Sequence, residues 1–183
     1  MHFQRLDITA LEKTLDKWRE QASKYEFFPE DVDRKLAWAR DALNLKVHPD
    51  AHQVIPYGVF ENDGDDAAIA VCELVLSNRG AKVGKWLKML RITLSPEIEI
   101  QAEEKDPHAI RSAISVYRTA TVGSFSERLN HSADTLKVYG RNQEQLELLI
   151  ALLSTIEEAP SLEATREGRW LILRSANLIE PVL

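Results

Sequence analysis

Apolar residues in the first third of the chain recur every three or four positions. Ile8, Leu11, Leu15 and Trp18 keep that spacing after a strand-length opening segment, His2 to Leu6. Thr9-Ala10-Leu11-Glu12 matches a capping box, in which Thr and Glu side chains satisfy free amides at a helix start. A second helix is predicted from Pro29 to Leu43, with proline in the first turn and Val32, Leu36, Ala39 and Leu43 on one face. Tyr25, Phe27 and Phe28 lie between these helices and read as inter-helix core. The period then changes. Gln53 to Phe60 reads as a strand, Glu61-Asn62-Asp63-Gly64-Asp65-Asp66 as a turn, and Ala68 to Leu76 as a second strand. Ser77-Asn78-Arg79-Gly80 begins another turn, and Trp86 to Leu94 reads as a third strand closing an antiparallel meander. The last third alternates. Asp106-Pro107 opens a helix whose apolar face is Ile110, Ala113, Ile114, Tyr117 and Ala120. A strand from Thr135 to Tyr139 follows, and Asn142 caps a helix carrying Leu146, Leu149, Ile150, Leu153 and Ile156. Leu162 to Thr165 and Arg169 to Arg174 form a final hairpin around Arg166-Glu167-Gly168.

The order strand, two helices, three strands, helix, strand, helix, two strands resembles the GNAT superfamily of N-acetyltransferases over nearly the whole chain. Trp86 to Pro96 looks like the family's fourth strand, and Thr135 to Ile156 like the later strand and helix that flank its acyl site. The resemblance implies an α+β fold, a mixed sheet of about seven strands flanked by about four helices, in one domain over residues 1–183. It also implies a cofactor loop, Q/R-x-x-G-x-G/A, whose backbone amides cradle the pyrophosphate of coenzyme A at a helix N-terminus. The matching stretch here runs from Glu97 to Asp106. It has no glycine and sets Glu97, Glu99, Glu103, Glu104 and Asp106 against the single cation Lys105. Glycine lets a backbone approach phosphate closely, and like charges ~4 Å apart near a protein surface repel by about 4 kcal/mol. These five acidic residues are therefore read as a binding surface for a basic protein or a cationic small molecule. The expectation is a diverged GNAT-like domain acting as a binding or interaction module, with no cofactor. The alternative is an N-acyltransferase that uses acetyl-CoA or another acyl donor in a modified site.

For that alternative, the resemblance implies a glutamate on the central strands as general base and a tyrosine that protonates the leaving thiolate. Glu73, alone in the apolar run Val71-Cys72-Glu73-Leu74-Val75, is the candidate base. Tyr139 and Tyr117 are the candidate acids, and the predicted helix from Gln143 to Glu158 contains no tyrosine. His48-Pro49-Asp50-Ala51-His52 has metal-like spacing, but Pro49 opposes a helix there and the segment reads as a connecting loop. No metal is expected. Ser126, His131 and Asp134 compose a triad on paper, without the glycines of a nucleophile elbow. Arg79-Gly80-Ala81-Lys82-Val83-Gly84-Lys85 has one residue too few between its glycines for a phosphate loop and reads as a hairpin turn.

Composition narrows the setting. Over 183 residues, 44% hydrophobic and 28% charged is an ordinary globular mix, which excludes disordered and collagen-like classes. The single cysteine, Cys72, forms no internal disulfide and reads as a buried structural thiol in a reducing, cytoplasmic setting. No apolar run approaches the ~20 residues of a membrane helix, and the opening Met1-His2-Phe3-Gln4 lacks signal-peptide character, so no membrane partner is expected. The net charge of -6 argues against nucleic acid as a partner. Glu61 to Asp66 carries -4 and Glu97 to Asp106 a further net -4, which leaves +2 for the rest and predicts an acidic pole. The apolar C-terminal stretch Ala176 to Leu183 is expected to support a homodimer.

Overall fold

The structure, a computed structural model, describes residues 1–25, 28–44, 53–78, 85–156 and 162–175. Twelve elements run in the order β1 (His2–Arg5), α1 (Ile8–Lys24), α2 (Pro29–Asn44), β2 (Gln53–Phe60), β3 (Ala70–Asn78), β4 (Lys85–Leu94), α3 (Pro96–Glu103), α4 (Pro107–Asn130), β5 (Thr135–Tyr139), α5 (Gln143–Ile156), β6 (Leu162–Glu167) and β7 (Trp170–Ser175). The strands form one seven-stranded sheet ordered β1-β2-β3-β4-β5-β7-β6. Every neighbouring pair is antiparallel except β4 and β5, which are parallel. The fold is α+β with a mixed sheet of seven strands and, among the described residues, five helices, in keeping with the expected architecture.

Alternation on the strands sends side chains to two separate cores. On one face, Ile55, Tyr57, Cys72, Leu74, Leu87, Met89, Leu136 and Val138 pack with Val116, Tyr117 and Ala120 of α4 and Leu149 and Leu152 of α5. On the other, Val71 and Phe60 meet Leu11, Leu15, Trp18 and Ala22 of α1 and Val32, Leu36 and Ala39 of α2. Cys72 is fully buried, and burial pushes its thiol up, which suits a packing role.

Four local expectations change. The N-cap of α1 is Asp7, whose carboxylate accepts from Ala10 N at 2.8 Å, so Thr9 lies inside the helix. Phe28 is 71% exposed and is no part of an inter-helix core, while Phe27 lies outside the described residues. On α4 the buried stripe runs through Ala109, Val116, Tyr117, Ala120 and Ser124, and Ile110 and Ile114 face outward. Finally, the acidic stretch after β4 is a helix, α3, because Pro96 fits a first helical turn and no glycine interrupts the residues after it. Among the described residues, no helix is long and apolar enough to cross a membrane.

Candidate functional site

The parallel junction is where the sheet opens. β4 and β5 pair over Trp86–Met89 and Thr135–Val138, and β4 then runs on to Leu94 against β3 alone. The parting coincides with a bulge. Glu73 of β3 stands opposite Arg91 while Leu74 stands opposite Met89, so Leu90 is one extra residue in β4. A bulge bends its strand and increases local twist, which turns the second half of β4 away from β5. It also resets which residues face which way. Met89, Ile92 and Leu94 share the α4 face with Leu74, Cys72 and Ala70, while Arg91 and Thr93 share the α2 face with Glu73 and Val71.

The gap is a cleft of about 430 Å³. Its walls include Lys35 from α2, Arg91 from β4, Glu99 from α3, Tyr117 from α4, and Arg141 and Gln145 from the start of α5. Arg91 lies over the Trp38 ring, 6.0 Å from its centroid. Lys35 Nζ is 2.6 Å from Glu99 Oε2. Tyr117 is buried and hydrogen-bonded to the Gln145 side chain, and burial pushes its phenol up to about 12. The turn that carries Arg141 is held on three sides. Arg169 donates to the carbonyls of Gly140 (Nε, 2.7 Å) and Arg141 (Nη2, 2.5 Å), Arg141 N donates to Gln145 Oε1 at 3.1 Å, and Asn142 Oδ1 accepts from Gln145 N at 2.8 Å.

Glu73 reaches the α2 face as a largely buried side chain, and its Oε2 lies 3.4 Å from Arg91 Nε. Tyr139 closes β5 at the end where β4 parts from it but is not among the residues that line the cleft; its ring packs on Trp170 with centroids 4.9 Å apart. Tyr117, the other tyrosine considered, is the one that lines the cleft.

Three of the five carboxylates after β4 have polar partners of their own. Glu97 accepts from Gln21 Nε2 at 2.9 Å, Glu99 pairs with Lys35, and Asp106 caps α4 by accepting from His108 N at 2.8 Å. Glu103 and Glu104 are exposed at the end of α3. Ser126 is exposed and donates to Val122 O at 3.2 Å, whereas His131 Nε2 lies 3.2 Å from Tyr57 Oη; the paper triad does not assemble. Among the described residues no group of three or more His, Cys, Asp and Glu is placed to hold a metal. The segments 48–52, 79–84 and 176–183, with the His-Asp spacing, most of the basic turn and the proposed dimer contact, lie outside the described residues.

Sequence reasoning missed Lys35, Arg91 and Arg141. None of them sits in a motif that marks a binding site, and only the splay of the sheet gathers them. The position of Arg141, directly before the cap residue Asn142, was the one available signal.

A scan against models of protein families finds none that matches the chain, and no curated protein matches it. Solved structures do. One, described as "Crystal structure of a probable acetyltransferase", is 12% identical and aligns over 92% of this chain and 91% of its own, with a TM-score of 0.50. Another, described as "Structure of the AtaT-AtaR complex bound DNA", is 11% identical over 65% of this chain and 66% of that one, with a TM-score of 0.38. That description removes the exclusion of nucleic acid drawn from net charge, since a structure matched to this chain belongs to a DNA-bound complex. The likeness says nothing about what this chain itself binds. In element order and in its likeness to the first of these structures over nine-tenths of both chains, the chain has a GNAT-like fold.

Proposed function

We propose that this GNAT-like domain is a binding module, which holds a small ligand in the β4–β5 cleft and transfers no acyl group there. The observation that carries this reading is the placement of Glu73, beside Arg91 and outside the lining of the cleft. A general base must have a free lone pair within hydrogen-bond reach of the proton it takes. Glu73 points to the α2 face beside the Arg91 guanidinium and is not among the residues that line the cleft, and Glu99, the carboxylate on the cleft wall, is paired with Lys35.

The residues present do not fit the acyl-CoA that the fold implies. A pyrophosphate cradle needs several free amides and room for phosphate against the backbone. Here the chain enters α3 at once after Ser95. Pro96 has no N–H, and the first turn carries Glu97 and Glu99 where a doubly charged phosphate group would sit.

The competing reading, acyl transfer by a modified site with Glu73 as base, has Tyr117 on its side, since a phenol on the cleft wall stands where a proton donor is needed. An assay of CoA release separates the two. Acetyl-CoA is incubated with the protein and with free amino acids, polyamines and a lysine peptide as acceptors. The expected result is thiol release no faster than in buffer. Release by the wild type that disappears in Glu73→Gln would overturn the binding-module reading.

A further inference from the structure

We propose that the ligand of the β4–β5 cleft is an organic monocarboxylate, received by the Arg141 guanidinium at the mouth with Arg91 behind it. The inference rests on the binding-module reading, because it concerns the same cleft. It begins from charge. Lys35, Arg91 and Arg141 line the cleft, and Glu99 is the carboxylate among its lining residues. Lys35 is matched by Glu99 at 2.6 Å, and Arg91 by Glu73 at 3.4 Å from the neighbouring strand. Arg141 has no carboxylate partner among the described residues. One positive charge is left over, which one carboxylate balances and a phosphate dianion overshoots.

Geometry supports the same assignment. A planar guanidinium binds carboxylate through two parallel N–H groups, and the Arg91 contact to Glu73 runs through Nε at the long distance of 3.4 Å. The backbone under Arg141 is fixed in advance by Arg169, Gln145 and Asn142, so binding has to order only the side chain. Arg141 itself is solvent-exposed, which keeps its charge hydrated until a ligand arrives. The rest of the cleft suits an organic body more than a bare ion. Its volume of about 430 Å³ falls within the range of small-molecule pockets, and Ile92 and Leu94 supply apolar wall beside the Gln145 amide.

The test is calorimetric titration of the purified chain with hippurate, phenylacetate and octanoate, each a monocarboxylate with a different body. Hippuramide, the uncharged counterpart of hippurate, and inorganic phosphate are the comparison probes. At least one monocarboxylate is expected to bind, hippuramide and phosphate at least ~10-fold more weakly. Arg141→Gln should weaken the bound acid by ~10-fold or more, while Arg118→Gln, on the exposed face of α4, should leave it unchanged. Circular dichroism of both variants establishes that they fold. Silence with all three acids, equal binding of hippuramide, tighter binding of phosphate, or an unchanged Arg141→Gln each overturns the proposal. The CoA-release assay is run on the same preparation. Thiol release with carboxylate binding intact would sink only the binding-module reading, and silence in both assays only the carboxylate site.

Discussion

Helix α1 staples the β2–β3 connection to the sheet through both backbone groups of Ala68. Ala68 N donates to Thr14 Oγ1 at 2.9 Å, and Trp18 Nε1 donates to Ala68 O at 2.8 Å. Thr14 in turn donates to Ala10 O at 2.7 Å. All three residues of the staple are essentially inaccessible to water. Thr14→Val keeps the shape and removes the acceptor, leaving a buried N–H unpaired at a cost of about 1–3 kcal/mol. With the extra methyl returning a few tenths, the expected loss is about 2 kcal/mol. For a domain of this size each kcal/mol lowers Tm by about 2–4 °C, so the melt should fall by about 4–8 °C. Trp18→Phe removes the other hydrogen bond and some packing volume, and should cost at least as much. Because the two bonds converge on one residue, the double variant should lose less than the sum of the singles by about 0.5 kcal/mol or more. Urea unfolding followed by far-UV circular dichroism measures each term, with an unchanged slope as the check on two-state behaviour. A Thr14→Val variant within about 0.5 kcal/mol of wild type would refute the staple, because that is the scale of an ordinary surface change.

Gly123 sits where the side chain of Phe3 lies on α4, and an added Cβ would come within 2.4 Å of the Phe3 ring. Gly123→Ala should therefore destabilise by about 1 kcal/mol in thermal melts, although alanine alone would favour the helix by a similar amount; a stabilised variant would refute the close approach. Deleting Leu90 makes the β3–β4 ladder regular without changing which residues face each core. The variant should still unfold cooperatively but bind the cleft's carboxylate at least ~10-fold more weakly, and undiminished binding would separate the bulge from the splay. Burial holds His131 below its usual range, with Glu127 opposing that shift and Arg5 and Lys85 reinforcing it. A depressed histidine adds stability that is present above about pH 6.5 and is lost as pH falls through the folded-state value. Wild type should thus lose stability on acidification from pH 7 to 5 more steeply than His131→Gln, as read by melts at each pH, and parallel curves would refute the assignment.

The elements that were legible in the sequence are those whose local chemistry and tertiary role agree. Gln53–Phe60 and Thr135–Tyr139 fall at the bounds expected, because each is an apolar strand closed by polar turn residues. Asp106 caps α4 as its Asp-Pro signature predicts. Misreadings arose where two local signals competed. Thr9 and Asp7 both suit an N-cap, and Asp7 prevails because Leu6 must enter the core directly before the helix. On α4, Ile110 and Ile114 look like core by hydrophobicity, yet the close approach of helix to sheet at Gly123 and Ala120 selects a stripe of smaller residues. The cleft was the least legible part. Its opening depends on one extra residue in β4, and alternation in a single strand does not reveal where its partner skips.

The charge of the whole chain illustrates why the site's sign could not be read from totals. Many of the acidic residues behind the net -6 are spent inside the fold. Asp7 and Asp106 cap helices, Glu12 pairs with Arg40, Asp33 with Arg19, Asp66 with Lys13, Glu73 with Arg91 and Glu99 with Lys35. Such pairs cancel locally and project little field beyond themselves. Exposed charges such as Glu103 and Glu104 act over a screening length of about 8 Å at physiological ionic strength. A ligand approaching the cleft therefore meets a weak repulsion at a distance and an unmatched guanidinium at contact. The contact term decides affinity and the distant term only the rate of arrival, so a net-acidic domain can hold an anion at this site.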